Sequence, residues 1–155
     1  KMNALKDTAM IDRLYASSQT GVRIDLIVRG ICCLIPGRKY SRNIRVTRIV
    51  DTFLEHARVW YFGNGGKPKL FLGSTDWMRR ILYRRIEAVT PFLDPDLKRE
   101  LSDMLSIQLS DKRKACFVDD HLRNRWKSAR PQKEKVRAQY TFYEYLKSGE
   151  LKVES

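Results

Sequence analysis

The sequence lacks the glycine-rich loops with which many enzymes hold nucleotide phosphates. It has neither the glycine–lysine loop that precedes a helix in many nucleotide-binding proteins nor the glycine-rich loop and lysine of protein kinases. It also has no apolar run of membrane-spanning length and no secretory signal peptide. Any phosphate chemistry in this chain therefore requires another architecture.

Cysteine and histidine are scarce. The three cysteines, Cys32, Cys33 and Cys116, lack the spacing of a metal site, and their odd number argues against a disulfide framework. Reduced thiols are typical of the cytoplasm, so we expect a cytoplasmic protein with no metal held by its own side chains. The two histidines are His56 and His121, and His121 lies in a polar loop where an ordinary surface role is expected.

Acidic residues are also outnumbered. The chain has 31 Lys and Arg against 18 Asp and Glu, which gives a net charge of +13. Such an excess favours a polyanionic partner: nucleic acid, polyphosphate, a nucleotide or an anionic membrane. The basic residues form three clusters, in 38–48, 79–85 and 112–137. A single cluster is usually solvated surface, but three of them make a track for a polyanion equally plausible.

The length and composition suit one domain. The chain has 155 residues, of which 43% are hydrophobic and 10% aromatic, so a real core is expected. No internal repeat or linker divides it, which predicts a single domain over residues 1–155. The first residue is Lys1 rather than methionine, and residues 1–5 resemble the end of a strand. We therefore expect a fragment of a larger chain.

The hydrophobic patterns alternate between helix and strand. They predict helices over 8–19, 48–55, 95–109 and 133–147, strands over 22–28, 43–46, 84–91 and 115–118, and a β-hairpin over 57–74. A strand, a helix and a second strand at the start of the chain imply parallel pairing. Val136, Tyr140, Tyr143 and Leu146 are expected on the inner face of the last helix. The fold class is therefore α/β with a mixed sheet flanked by helices.

One constellation has the residue types that phosphate chemistry needs. His56 and Arg58 precede the hairpin turn at 64–66, and alternation places them on one face of a strand. Ser74 follows a glycine at the end of the returning strand, and Arg29 ends a separate apolar strand. An arginine grips phosphate oxygens, and an imidazole acts as nucleophile, acid or hydrogen-bond donor. The alternative is that His56 is structural.

These residues belong to a series of motifs. The chain is similar, over essentially its whole length, to the C-terminal catalytic domain of bacterial polyphosphate kinases that make long polyphosphate, which have the phospholipase D-like fold. The similarity rests on Lys1-Met2-Asn3-Ala4-Leu5, Leu26-Ile27-Val28-Arg29-Gly30-Ile31-Cys32, Phe53-Leu54-Glu55-His56-Ala57-Arg58, Gly73-Ser74-Thr75-Asp76-Trp77-Met78, Arg85-Ile86-Glu87 with Thr90-Pro91, and Lys135-Val136-Arg137-Ala138-Gln139.

The resemblance implies reversible transfer of the terminal phosphate of ATP to polyphosphate, with Mg²⁺. It implies two phospholipase D-like halves, with the phosphorylated histidine in a preceding half that is absent here, so the fragment alone is expected to be inactive. His56 would assist as general acid or phosphate contact, and Arg29 would bind the nucleotide. Arg58 occupies the usual lysine position of a histidine–x–lysine pattern, and Ser74 lies in the expected glycine–serine turn.

Partners also follow from the resemblance: ATP or ADP, inorganic polyphosphate and the preceding catalytic domain of the same chain. It further implies a homo-oligomeric full-length enzyme, peripheral association with a membrane and no specific nucleic acid. The sequence departs from the family pattern at two places. Ile81 replaces a frequent asparagine, and the 30–43 loop is shorter than in some relatives.

Two alternatives remain open at this point. A related phospholipase D-like nuclease, phosphodiesterase or phospholipid transferase also builds its site from two such halves. A non-enzymatic polyanion- or nucleic-acid-binding domain would explain the charge without any role for His56. The first predicts activity on DNA or lipid without ATP, and the second predicts steeply salt-dependent DNA binding.

Overall fold

The described part of the chain alternates strands and helices. A computed structural model describes residues 1–127 and 136–148; the start of the predicted last helix and part of the third basic cluster lie outside the described residues. None of the helices in these ranges is long and apolar enough to span a bilayer. The elements are α1 (Thr8–Gln19), β1 (Ile24–Ile27), β2 (Ile44–Ile49), β3 (Arg58–Phe62), β4 (Lys69–Gly73), α2 (Arg79–Arg84), β5 (Val89–Phe92), α3 (Pro95–Ser110), β6 (Ala115–Val118), β7 (Asn124–Trp126) and α4 (Ala138–Ser148).

The strands form a mixed sheet and an antiparallel sheet. The first has the order β1-β2-β6-β7, in which β1 and β2 are parallel and the remaining pairs antiparallel. The second has the order β3-β4-β5 and contains the predicted hairpin, with Arg58 opposite Gly73. The predicted α/β class and mixed sheet are confirmed. The predicted parallel pairing of the first segment with the strand after α1 is also confirmed, by the bridge between Met2 and Val28.

Helices cover both faces of the mixed sheet. Leu26 and Val28 join the buried cluster that includes Ile11 of α1. Ile27, on the opposite face, packs with Ile107 of α3 and the first turn of α4. A strand buried on both sides needs apolar residues without alternation, which explains the continuous apolar run at this point in the sequence.

Residues 1–5 form a seam between the two sheets. Met2 pairs in parallel with Val28, beyond the end of β1. The backbone nitrogen of Lys1 donates to the carbonyl of Val59 in β3 at 2.7 Å, and the Val59 nitrogen donates back at 2.9 Å. The segment read from the sequence as the end of a strand is therefore bonded on both sides, and it fixes β3 relative to β1.

The helix predicted over 48–55 is wrong. Arg48 and Ile49 belong to β2, where they pair with β6, and the chain that follows has no regular structure as far as His56. The apolar side chains of this stretch face solvent; Leu54, for example, is 77% exposed. The apolar residues have helical spacing, but no helix forms, because the first two residues of the stretch pair with β6 in a sheet.

The strand predicted over 84–91 is partly wrong. Arg84 ends α2, and the strand β5 begins only at Val89. The helix has six residues and a single buried side chain, Ile81, so it gives little periodic signal. Ile81, the residue at which the sequence departs from the expected pattern, is buried.

The inner face of α4 also differs from the prediction. Tyr140, Tyr143 and Leu146 are exposed. The prediction is confirmed for Val136, which precedes α4 and packs against the core. Within α4 the core contacts come from Ala138, Phe142 and Tyr145. β7 lies where no strand was predicted.

The buried carboxylate of Asp111 organises the junction between α3, β6 and α4. Its Oδ1 accepts from the backbone nitrogens of Arg113, Lys114 and Ala115 at 2.8, 2.7 and 3.0 Å. Its Oδ2 accepts from the nitrogen of Ala138 at 2.7 Å. One side chain therefore satisfies four backbone donors that would otherwise lack partners.

Replacing Asp111 should therefore be costly. We expect Asp111→Ala to lower the free energy of unfolding by about 3 kcal/mol or more, since several donors lose their acceptor at once. Asp111→Asn, which retains one carbonyl oxygen, should cost less. Urea denaturation of the chain measures both, with exposed Asp12→Ala as a control that should change stability by less than about 0.5 kcal/mol. Equal stability of all three variants would contradict this role.

Candidate active site

His56 and Arg58 lie side by side where β3 begins. The Nη1 of Arg58 donates to the His56 carbonyl at 2.9 Å, and its Nη2 lies 3.0 Å from His56 Nε2. Because a guanidinium only donates, Nε2 is the acceptor, and the proton of the neutral ring sits on Nδ1. The exposed imidazole therefore presents an N–H donor to solvent.

The carboxylate of Asp76 is a second partner of the Arg58 guanidinium. The Nη2 of Arg58 also donates to Asp76 Oδ2 at 2.9 Å. The Oδ1 of Asp76 accepts from the backbone nitrogens of Asn3 and Ala4 at 2.7 and 3.1 Å. Burial raises the pKa of Asp76, but the hydrogen bonds from Arg58, Asn3 and Ala4 outweigh it and leave the pKa below its usual value.

This arrangement bears on the phosphate-binding role predicted for Arg58. Its side chain is 15% exposed, and its charge is already paired with Asp76. The guanidinium is therefore placed to orient the imidazole through its hydrogen bond to Nε2. A direct phosphate contact by Arg58 stays a prediction.

Arg29 lies on the other side of the seam. Its backbone nitrogen donates to Met2 at 3.3 Å, and its charge lowers the pKa of Lys1, although burial of Lys1 is the larger cause. Lys1 in turn forms an ion pair with Glu55, the neighbour of His56. Arg29 and His56 lie next to segments that flank the seam, since Val28 pairs with Met2 and Val59 of β3 is bonded to Lys1. In residues 1–127 and 136–148 no hydrogen bond joins Arg29 to His56.

The residue after Arg29 is a glycine because the backbone of the seam comes close to it. A Cβ on Gly30 would lie 3.0 Å from the carbonyl oxygen of Asn3. The Gly30 nitrogen donates to that same oxygen at 2.8 Å. A glycine lets the two backbones come together, and this brings Arg29 beside the segment that carries Asp76's backbone partners.

Ser74 contacts a different part of the chain. Its hydroxyl donates to the Glu87 carboxylate and accepts from the backbone nitrogen of Ala88 at 3.2 Å. Glu87 also forms an ion pair with Arg85 at 3.6 Å. In the described residues no hydrogen bond joins Ser74 to His56, and a phosphate contact by Ser74 stays a prediction.

The irregular segment 51–56 is held by side chains from α4. The amide of Gln139 accepts from the nitrogen of Phe53 at 2.8 Å and donates to its carbonyl at 2.7 Å. It also donates to Glu55 at 3.0 Å. Glu55 further accepts from Gln108 at 2.5 Å. We call this segment the His56 strap.

A second anchor lies at the start of the strap. Arg137 donates to both carboxylate oxygens of Asp51, at 2.8 and 2.6 Å. Its guanidinium also stacks 4.2 Å from the ring centre of Tyr140. The hydrogen bond from Arg137 lowers the pKa of Asp51. Arg137 and Gln139 belong to the motif at residues 135–139, but no local pattern indicates that they hold the strap.

The candidate site offers little to a metal ion. Among the described residues no group of three or more His, Cys, Asp or Glu side chains is placed to hold one. Glu55, Asp76 and Glu87 are each already bonded to a lysine, an arginine or a serine. These side chains do not form a Mg²⁺ site by themselves, so we assign no step to the ion.

Comparison with known proteins identifies the family. The family model described as polyphosphate kinase C-terminal domain 2 matches residues 1–139. The chain belongs to this family. The polyphosphate kinase of Escherichia coli K12 is 49% identical over 151 residues, which cover 97% of this chain and 22% of that protein. That of Synechocystis is 57% identical over 116 residues, or 74% of this chain and 16% of the relative.

A solved structure agrees with the assignment. The crystal structure of polyphosphate kinase from Porphyromonas gingivalis superposes with a TM-score of 0.91 at 55% identity, over 96% of this chain and 23% of that one. The domain thus spans less than a quarter of the length of these relatives. Its architecture is that of a polyphosphate kinase C-terminal domain.

Because the pKa of the buried Asp76 is lowered, we expect the stability of the domain to depend on pH. Because its pKa is lowered on folding, its contribution to stability is complete above its unfolded pKa of about 3.9 and is lost as the pH falls through the folded pKa. We expect Asp76→Asn to cost about 3 kcal/mol at pH 7. The difference from wild type should shrink below pH 4.

Acid titration followed by circular dichroism tests this effect. Asp96→Asn is the control, since Asp96 makes only an exposed ion pair with Arg99 and should behave as wild type. A constant difference between Asp76→Asn and wild type from pH 7 to pH 2 would show that the carboxylate charge is not what stabilises the turn.

We expect the hydrogen bonds of Gln139 to keep the His56 strap ordered. In Gln139→Ala the Phe53 amide loses its acceptor, so its hydrogen exchange should accelerate about tenfold, which corresponds to roughly one hydrogen bond. NMR exchange at Phe53 measures this. Gln19→Ala removes an exposed side-chain bond in α1 and serves as the control. Unchanged protection of Phe53 would mean that the strap is held by other contacts.

Proposed function

We propose that this domain supplies the C-terminal half of the catalytic site of a polyphosphate kinase. The enzyme would transfer the terminal phosphate of ATP reversibly to polyphosphate, through a phosphohistidine on a preceding domain of the longer protein. Membership of the polyphosphate kinase C-terminal family is the observation that carries the proposal. The exposed imidazole of His56, oriented by Arg58, supports it from the geometry.

In this proposal His56 contacts a transferring or bridging phosphate. Its Nδ1–H is the donor available to an anionic oxygen, because Nε2 is occupied by Arg58. Phosphoryl transfer depends mainly on positioning and on cations near the developing charge, so a donor fixed by Arg58 and Asp76 suits the task. The same Nδ1–H acts as general acid if it passes its proton to the leaving oxygen.

Arg29 supplies the second contact in this proposal. It is half-buried beside the seam, and no ion pair neutralises its side chain within the described residues. A guanidinium binds two phosphate oxygens at once and carries its charge at all physiological pH values. A substrate bridging Arg29 and His56 would span the seam, with Ser74 on the hairpin side.

Substitution in the full-length enzyme tests the proposal. We expect His56→Ala to lower the rate of polyphosphate synthesis from ATP about 100-fold or more, as loss of an acid–base group does. Arg29→Ala should lower it at least about tenfold, since a charged hydrogen bond is lost. His121→Ala is the control, because His121 is an exposed histidine near Asp120, and it should behave as wild type.

Three results would contradict the proposal. Near wild-type synthesis in both His56→Ala and Arg29→Ala would remove the assignment of these residues. Cleavage of DNA or phospholipid without ATP would favour a related phosphodiesterase. Turnover by the 155-residue chain alone would show that no phosphohistidine from another domain is needed.

A further inference from the structure

Glu55, the residue directly before His56, is bonded through both of its carboxylate oxygens. Its Oε2 accepts from the Nζ of Lys1 in the seam and from the Nε2 of Gln108 in α3. Its Oε1 accepts from the Nε2 of Gln139 in α4 at 3.0 Å. One side chain therefore links the seam, α3 and α4 to the His56 strap. Because both oxygens have partners, Glu55 is placed to act on a substrate only through the groups that it holds.

The Lys1–Glu55 ion pair is largely removed from solvent. The side chain of Lys1 is 7% exposed, and that of Glu55 is 25% exposed. Burial lowers the pKa of Lys1, and the hydrogen bond and charge of Glu55 oppose this effect. The charge of Arg29 acts in the same direction as burial. A buried ion pair adds little net stability, since both charges leave water, but it holds its two partners at a defined separation.

The ion pair completes a path of contacts between the two candidate phosphate ligands. The backbone nitrogen of Arg29 donates to the carbonyl of Met2 at 3.3 Å, and Met2 directly follows Lys1. The side chain of Lys1 is bonded to Glu55, which directly precedes His56. The path therefore runs from Arg29 through the seam to the His56 strap, and the ion pair is its link between side chains.

We propose that Glu55 is a positioning residue, which fixes His56 relative to Arg29. It does so through its ion pair with Lys1. This inference rests on the proposed function, in which one substrate contacts both candidate ligands. Phosphoryl transfer depends on the exact separation of the groups around the reacting phosphate, and a displacement of about 1 Å can lower a rate about 100-fold.

Nucleotide binding should depend less on this ion pair than phosphate transfer does. A guanidinium binds phosphate oxygens through its own hydrogen bonds, so Arg29 retains them when His56 has moved. Loss of the ion pair is therefore expected to lower kcat more than it weakens nucleotide binding.

Two variants of the full-length enzyme test this role. Glu55→Gln leaves Lys1 buried without a counter-charge, so this variant should be less stable than wild type. Glu55→Gln/Lys1→Met removes both charges and nearly keeps the side-chain volumes, so its stability should recover. Stability is measured as the temperature at which half of the ADP binding is lost. We expect kcat for polyphosphate synthesis to fall about tenfold in Glu55→Gln and to stay low in the double variant.

Equilibrium binding of ADP supplies the second readout. The dissociation constant of ADP and the KM for ATP should change less than about twofold in both variants, because Arg29 remains in place. Rates are expressed per ADP-binding site, so unfolded protein does not lower the measured kcat. Glu100→Gln is the control, since Glu100 is an exposed carboxylate on the same helix as Gln108, and it should match wild type in every measurement.

The inference is overturned by any of three results. These are wild-type kcat in Glu55→Gln, recovery of kcat together with stability in the double variant, and an equal loss of kcat and ADP affinity. The second result would give the ion pair a purely structural role. Failure of the proposed function is distinguishable, because His56→Ala and Arg29→Ala would then both keep near wild-type synthesis. If those two variants lose activity and Glu55→Gln does not, only the role of Glu55 is removed.

Discussion

The candidate site depends on the buried carboxylate of Asp76. A carboxylate that leaves water must regain its interactions inside the protein, and Asp76 does so with one guanidinium and two backbone N–H groups. These partners come from two separate places, the strand β3 and the seam, and both meet at the turn that contains Asp76. The single requirement to satisfy one negative charge thus fixes the position of Arg58, and through it the orientation of His56.

The His56 strap meets a second constraint. Because it forms neither helix nor strand, its backbone groups need side-chain partners if they are to stay ordered. Gln139 matches both backbone polar groups of Phe53, and Arg137 binds Asp51 through two bonds. The exposed face of the strap is left free for a ligand, while its inner side is bonded to Arg137 and Gln139 at the start of α4 and to Gln108 of α3.

Elements with local signals were predictable from the sequence. Asp7 caps α1, and Asp94 with Pro95 begins α3, as their residue types indicate. The strap was misread as a helix because its partners lie 86 positions away, and α2 was too short to show a period. At the candidate site the sequence predicted that His56 and Arg58 lie on one face, where the structure joins them by hydrogen bonds. It did not predict Asp76 beneath them, since that contact depends on tertiary packing.

The seam has a consequence for how the domain folds. Asn3 and Asp76 are 73 positions apart, and closing a loop of that length costs about 4 kcal/mol of chain entropy before any contact repays it. Topologies dominated by such distant pairings acquire their native contacts slowly. We therefore expect the contacts around His56 to form in the final stage of folding. A partly folded domain that already has α1 and the hairpin would not yet have the arrangement of the candidate site.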